Sequence, residues 1–416
     1  MFFGWRMVAL AFLTNFISVG FVFYSYGVFF KALADDFGGS RFGVALGLTC
    51  TNLMTALLSP VVGVWLDRGA IKKVMALGAT MMGLAFVVAS SITALWQFYL
   101  VFGLMMGVGV CLLGGLPSST LIANWFVERR GAALGIATIG VSLSGAFMPP
   151  IGTALIAEFG WRTTFLIYAA VAWLVVVPAI LRWVVTRPED VGRTPYGVVL
   201  VDNATSREPP TPTARELLGN RNFWIIAMVV ALNFCTMGAV LTHSVPHATD
   251  LGFSPADAAW VLSTMAICGA VGKPVFGMIT DRVDKRFACL IATMLQLGGV
   301  ALLLDAYTYS ALLTASGVFG LGMGGVVPLH GALIGSVFGR QAFGRVMGMM
   351  SPVMMPVTMI GVPFAGYVYD TTGSYEPAFT LLMGAYVLAM ALLTQLRIPE
   401  VEPGTELDLG DALPAE

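Results

Sequence analysis

The sequence predicts an all-α membrane protein: twelve transmembrane helices in two pseudo-symmetric six-helix bundles. Three observations carry that expectation. The 416 residues are 57% hydrophobic and only 11% charged, with a mean hydropathy of +0.85, against roughly 25% charged residues in a soluble domain. The apolar residues fall into twelve runs of membrane-spanning length. The two halves of the chain carry the same landmarks at one common spacing.

Composition excludes most other classes. A soluble chain of this balance could not cover its surface with polar groups. The net charge of −1 leaves no basic field to hold a nucleic acid. The five cysteines (50, 111, 235, 268 and 289) are scattered without a CxxC, which argues against a disulfide framework or a zinc site. The three histidines (243, 247 and 330) are too few for a His-rich metal cluster. No cofactor is expected.

The runs lie near 6–30, 42–66, 73–93, 95–123, 132–157, 163–184, 223–248, 254–279, 287–304, 309–336, 342–368 and 374–396. Twelve spans of about 21 residues need about 250 residues, which the chain can supply. The first run lacks a small-residue cleavage site and reads as a retained span. With the N-terminus inside, 18 of the 22 Lys and Arg fall in cytoplasmic segments. Lys31, Arg41 and Arg162 face out, and Lys273 lies within a span. The positive-inside rule therefore places both termini in the cytoplasm, and a bacterial-type inner membrane is the expected location. The expected organisation is a six-helix bundle at 1–186, a cytoplasmic linker at 187–221, a second bundle at 222–397 and an acidic tail at 398–416. The chain is expected to be monomeric in the lipid bilayer.

The repeat is explicit. Gly63-x3-Asp67-Arg68 after span 2 recurs as Gly277-x3-Asp281-Arg282 after span 8, an offset of 214. Gly114-Gly115-x-Pro117 recurs as Gly324-Gly325-x2-Pro328 at 210 to 211, Phe126 as Phe338 at 212, and Trp161-x3-Phe165 as Tyr375-x3-Phe379 at 214. General needs of membrane helices explain each landmark separately but not the shared period. Two parallel six-helix repeats are a transporter architecture, with the substrate site at the repeat interface near the midplane.

The segment Gly63-Val-Trp-Leu-Asp67-Arg68-Gly69-Ala-Ile-Lys72-Lys73 resembles the signature loop of the major facilitator superfamily, and Asp281-Arg282-x2-Lys285-Arg286 resembles its second copy. Trp125-Phe126-Val127-Glu128-Arg129-Arg130-Gly131 and the small residues after it are similar to the helix-5 signature of monocarboxylate porters, with Glu128 where that signature has Lys. Gly4-Trp5 and Tyr26-Gly27-Val28-Phe29-Phe30 fit the same group, which includes oxalate:formate-type exchangers. Where animal members carry a substrate-linked Lys in helix 1, this chain has Tyr24. Where they carry Asp-x3-Arg-Pro in helix 8, it has Gly269-x3-Lys273-Pro274, keeping the cation without its acidic partner. By the same analogy Asp67, Arg68, Arg129, Arg130, Asp281 and Arg282 are expected to gate the cytoplasmic side, with carboxylate and Arg pairs holding one half to the other.

Lys273 is the main site candidate. It precedes Asp281 by eight residues, about 12 Å along a helix, which places it near the middle of a hydrocarbon core about 30 Å thick. An ammonium there costs at least about 2.5–3.5 kcal/mol, and none of the 23 acidic residues lies in the interior of a span, Asp257 and Glu376 standing at span starts. Snorkelling reaches only about half the distance to the interface, so an anionic substrate is the expected counter-ion.

Span 7 carries Asn233, Thr236, Val240, His243 and His247 on one helical face, expected to point at the central cavity. His243 and His247, near its outer end, could relay a proton or be interfacial residues satisfied by water and backbone. Asp257, at the start of span 8, is the third proton-coupling candidate. His330 in span 10 is open to cavity-facing and helix-packing readings. Asn15, Tyr24 and Tyr26 could donate hydrogen bonds to a carboxylate. The substrate-binding expectation is thus Lys273, Tyr24, Asn15, Asn233 and His330.

These features predict a secondary transporter of small monocarboxylates, such as lactate or pyruvate, working by alternating access with proton symport. Carboxylate exchange, which needs no acidic partner, is the nearest rival. A generic exporter within the same fold would favour an acidic cavity for cations. A membrane enzyme lacks a catalytic set, and a sensor would need a larger soluble domain than the linker offers. No GxxxxGK[ST] loop is present to bind ATP.

Overall fold

A computed structural model describes residues 3–37, 41–196 and 212–398, and these are helical apart from turns and one isolated bridge between Phe126 and Tyr196. In the first half α1 (Gly4–Val19) runs through a π-type turn into α2 (Tyr26–Phe37), followed by α3 (Arg41–Trp65) and α4 (Ile71–Ser90). The fourth crossing is segmented into α5 (Leu95–Leu100), α6 (Gly107–Leu113) and α7 (Gly115–Trp125). The long α8 (Arg130–Val171) continues through a π-type turn into α9 (Val177–Trp183). After a short α10 (Ala214–Gly219), the second half has α11 (Arg221–Asp250), α12 (Pro255–Thr280), α13 (Lys285–Leu304) and α14 (Tyr309–Phe338). A crossing broken into α15 (Phe343–Thr358) and α16 (Gly361–Thr372) follows, then α17 (Glu376–Leu393).

Ten apolar stretches among the described residues are long enough to cross a bilayer, and two of them, Gly47–Ser90 and Arg130–Trp183, contain 44 and 54 residues. A single crossing takes about 20. Both turn back on a left-handed glycine, Gly69 (φ 86°) and Gly160 (φ 75°), a conformation that disfavours a Cβ. The ten stretches therefore make twelve crossings. Large apolar side chains stand on the outside, including Leu174 (76% exposed), Leu381 (63%) and Trp96 (61%). Such a surface needs lipid against it.

Each half has its own apolar core. In the first, Phe21 stacks on Tyr168 with ring centroids 4.0 Å apart, and Phe29 lies 4.4 Å from Phe165. In the second, one cluster gathers Phe223, Leu333 and Phe343, and another Met265, Phe319 and Tyr386. The halves meet where α3 packs on α15 and α8 on α12. At the face bearing the Arg- and Lys-rich loops, called the basic face below, these contacts are backbone-close. A Cβ on Gly277 would collide with the Gly131 carbonyl, and one on Gly63 with the Gly344 carbonyl.

Overpacking so close a contact costs about 1–3 kcal/mol. Gly277→Val should therefore lower the melting temperature of the detergent-solubilised protein. Gly384→Val, where a new Cβ meets nothing within 4 Å, should not. Equal melting curves for the two variants would contradict this packing.

Candidate functional site

Lys273 is 8% exposed at the seam between the halves. Its Nζ donates to the Thr138 carbonyl at 3.0 Å and to Ser142 Oγ at 2.6 Å, both on α8 of the other half. The three ion pairs among the described residues are Arg162–Asp36, Arg286–Asp284 and Arg340–Glu189, so none neutralises Lys273. A buried charge held only by neutral acceptors is incompletely compensated. The approach is possible because Gly135 admits the Lys273–Pro274 backbone on one side and Gly324 admits it on the other. Lys273-Pro274 lies 214 residues after Ser59-Pro60, the repeat offset itself, so only one of the two copies carries the cation.

Asn15 is buried (3% exposed), and its Nδ2 reaches the Ala137 carbonyl at 3.5 Å, one residue before the carbonyl that takes Lys273. Tyr24 ends the π-type turn and is 41% exposed, with its ring beside Gly145 on α8. Asn15, Tyr24 and Lys273 thus all address α8. Ser142 was not singled out from the sequence. Only its position one turn after Thr138 on a Gly-rich helix could have signalled it.

The polar face of α11 does not turn toward this site. Asn233 donates to the Val229 carbonyl, and its Oδ1 accepts from Thr293 and from Gln296, whose Oε1 accepts from Tyr386. A satisfied network of that kind joins α11 to α13 and α17 and acts as packing. His330 is buried with Asn233 and Thr293 around a cavity of about 10 Å³ that excludes Lys273. No carboxylate fits there, so the expected grouping of Asn233 and His330 with Lys273 does not form. The helical period gave α11 a polar face but not the neighbour it meets.

The remaining candidates sit at the face opposite the basic one. His243 Nδ1 lies 3.3 Å from Tyr375 Oη, and its Nε2 lies 3.0 Å from the Val362 carbonyl beyond the α15–α16 break. His247 packs against Tyr375 and Phe379. Ser254 caps α12, its Oγ accepting from the Asp257 amide at 3.2 Å and donating to the Asp257 carboxylate at 2.7 Å. This places Asp257 at the helix entrance, sixteen residues before Lys273.

At the basic face the two motif aspartates have equivalent partners. Asp281 Oδ1 and Oδ2 accept from the amides of Gly131 and Ala132, each at 3.0 Å. Asp67 accepts from the amides of Gly344 and Arg345 at 2.9 and 2.8 Å. Each aspartate therefore caps the amino end of a helix from the other half, where backbone N–H groups lack partners and the helix dipole favours an anion. The glycine four residues earlier lies on the same helical face and allows the approach. These contacts differ from the expected Asp–Arg pairs: Arg68, Arg129, Arg130 and Arg282 form no ion pair among the described residues. Arg130 instead donates to the carbonyls of Phe126 and Ala123. The linker reinforces the closure, with Arg187 on the Asp67 carbonyl and Glu189 on Arg340. Although Asp281 is exposed as a residue, desolvation by the facing helix holds its carboxyl above the ordinary carboxylate value, opposed by its two amide bonds.

Comparison with known proteins fits this geometry. The family model for the Major Facilitator Superfamily matches residues 10–248 and 244–412. The chain is similar to "Monocarboxylate transporter 13" of Rattus norvegicus, 27% identical over 390 residues that cover 93% of this chain and 87% of that protein. It is similar to "Monocarboxylate transporter 11" of Homo sapiens, 27% identical over 402 residues that cover 93% and 81%. Among solved structures, the human organic anion transporter MFSD10 superimposes with a TM-score of 0.70 at 16% identity, covering 94% of this chain and 99% of that one. The proton:xylose symporter XylE gives 0.73 at 13% identity, covering 95% and 96%. These two likenesses speak for the fold alone.

A carboxyl whose pKa is raised on closure takes up protons as the face closes, so closure weakens as pH rises through the raised value. Spin labels at Val127→Cys and Val283→Cys, which flank the seam, should report a longer mean distance as pH increases above the ordinary carboxylate range. Asp281→Asn should reduce that dependence, leaving the part due to Asp67, whose carboxyl is pushed up to about 7 by burial. A pH slope unchanged by Asp281→Asn would remove Asp281 as its source.

Proposed function

The chain belongs to the Major Facilitator Superfamily, and from that membership we propose that it moves small monocarboxylates, such as lactate or pyruvate, across a membrane by alternating access with proton symport. It is a transporter and not an enzyme. The observation that carries the substrate class is Lys273: a buried ammonium held by one carbonyl and one hydroxyl. Neutral acceptors satisfy its geometry but leave its charge uncompensated, so a carboxylate gains most by displacing them. Asn15 and Tyr24 address the same helix and supply further donors. The monocarboxylate transporters among its relatives support the same class.

On this reading the basic face is cytoplasmic, as loop charge favours, and the described conformation is closed there. Asp67 and Asp281 hold it shut, and opening requires both to leave their helix ends. His243 is the best-placed proton carrier. It joins α11 to the segment just beyond the break between α15 and α16, so its charge can bias that junction. Carboxylate exchange is the second reading, favoured because no carboxylate pairs with Lys273 among the described residues.

In proteoliposomes, Lys273→Ala should reduce uptake of labelled lactate or pyruvate to background with the protein still folded, and Lys273→Arg should keep part of it. Ser142→Ala should alter the apparent affinity with less effect on maximal rate. Full uptake by Lys273→Ala would overturn the anion assignment. His243→Gln should uncouple uptake from acidification and leave counterflow intact. Efficient counterflow in the wild type with no uptake driven by a pH gradient would favour exchange over symport.

A further inference from the structure

A cavity of about 890 Å³ lies at the basic face, outside the Lys273 site, along the seam of α8 and α12. Its charged walls include Arg129, Arg282 and Lys285, with Glu128 and Asp281 as the acids. Asp281 is engaged by the Gly131 and Ala132 amides, and Arg130, also on the wall, donates to backbone carbonyls. The excess charge at the mouth is therefore positive. Arg129 is also the one non-glycine residue with a positive φ (56°) among the described residues, a backbone that non-glycine side chains seldom adopt. It stands at the N-cap of α8 without a side-chain cap bond of its own, its guanidinium 5.6 Å over the Tyr196 ring.

The second observation is apolar. Along α12, Ile267, Val271, Val275 and Met278 are 60%, 52%, 38% and 50% exposed, spaced by four, four and three residues. That stripe faces outward, and its last member, Met278, is also a wall of the cavity, together with Ile136 of α8, itself 38% exposed. A hydrocarbon track thus runs down the outside of the helix and ends among cations. A soluble anion has no use for the track, and a neutral lipid has no use for the cations.

We propose that this cavity binds the headgroup of an acidic phospholipid from the adjoining leaflet, with an acyl chain along the exposed stripe of α12. Basic pockets between helices suit such headgroups. The bound phosphate would sit beside the Asp281 contact between the halves and bridge Lys285, on the second half, to Arg129, on the first. The lipid then favours the closed basic face.

The test is native mass spectrometry of the full chain in neutral detergent, titrated with phosphatidylglycerol or phosphatidylcholine. Wild type should retain one phosphatidylglycerol in preference to phosphatidylcholine. Lys285→Gln should weaken that retention about fivefold, the effect of one basic residue near an anionic headgroup, and Lys285→Arg should restore it. Millimolar sn-glycerol 3-phosphate should not displace the lipid. Equal retention of the two lipids, or no effect of Lys285→Gln in a protein of unchanged melting temperature, overturns the proposal. Displacement by glycerol phosphate overturns the lipid in favour of a soluble anion. Retention is read without transport, so the outcome is independent of the substrate assignment.

Discussion

The closed face depends on a carboxylate meeting the bare amides at the start of a helix from the other half. It is made twice, by Asp67 on Gly344 and Arg345 and by Asp281 on Gly131 and Ala132. Neither contact could form without the glycine one turn before the aspartate. The second contact also fixes the register of α8 against α12. Going up the seam, Gly277 meets Gly131, Gly135 meets Lys273, and Lys273 reaches Thr138 and Ser142. The position of the ammonium in the membrane follows from a carboxylate eight residues away.

The repeat period acquires a physical meaning from the same pairs. Gly63 and Gly277 are separated by 214 residues, and their facing partners Gly344 and Gly131 by 213. Each half thus presents the same two contact positions to the other, at nearly one spacing. The landmarks share one spacing because each copy binds the other.

Much of the fold was legible because hydrophobic runs, loop charge and glycine punctuation are properties of the chain itself. The span expected at 309–336 is α14 at Tyr309–Phe338, and that at 223–248 is α11 at Arg221–Asp250. Of the candidate site, what the sequence made legible was a lysine within a span and without an acid nearby, and the structure gives it no ion-pair partner among the described residues. The partners of the motif aspartates were hidden because a helix amino end is a backbone feature with no residue type of its own. The polar face of α11 was visible by period, yet Gln296, which claims Asn233, lies 63 residues away in the chain and is itself held by Tyr386. Ser142 was one serine among many until Lys273 was seen to reach it. Linker residues 197–211 and the tail beyond Ile398 lie outside the described residues.

Ser59-Pro60 and Lys273-Pro274 occupy the same place in the two repeats. The scaffold was doubled and the charge was not. On the proposed reading, one fixed positive site in a duplicated frame sets stoichiometry: a monovalent guest balances it, while a divalent guest would leave an unmatched charge in the occluded state. It also divides labour between the halves. The second half carries the guest's anchor through the cycle, and the first half provides the wall against which that anchor rests when the guest has gone.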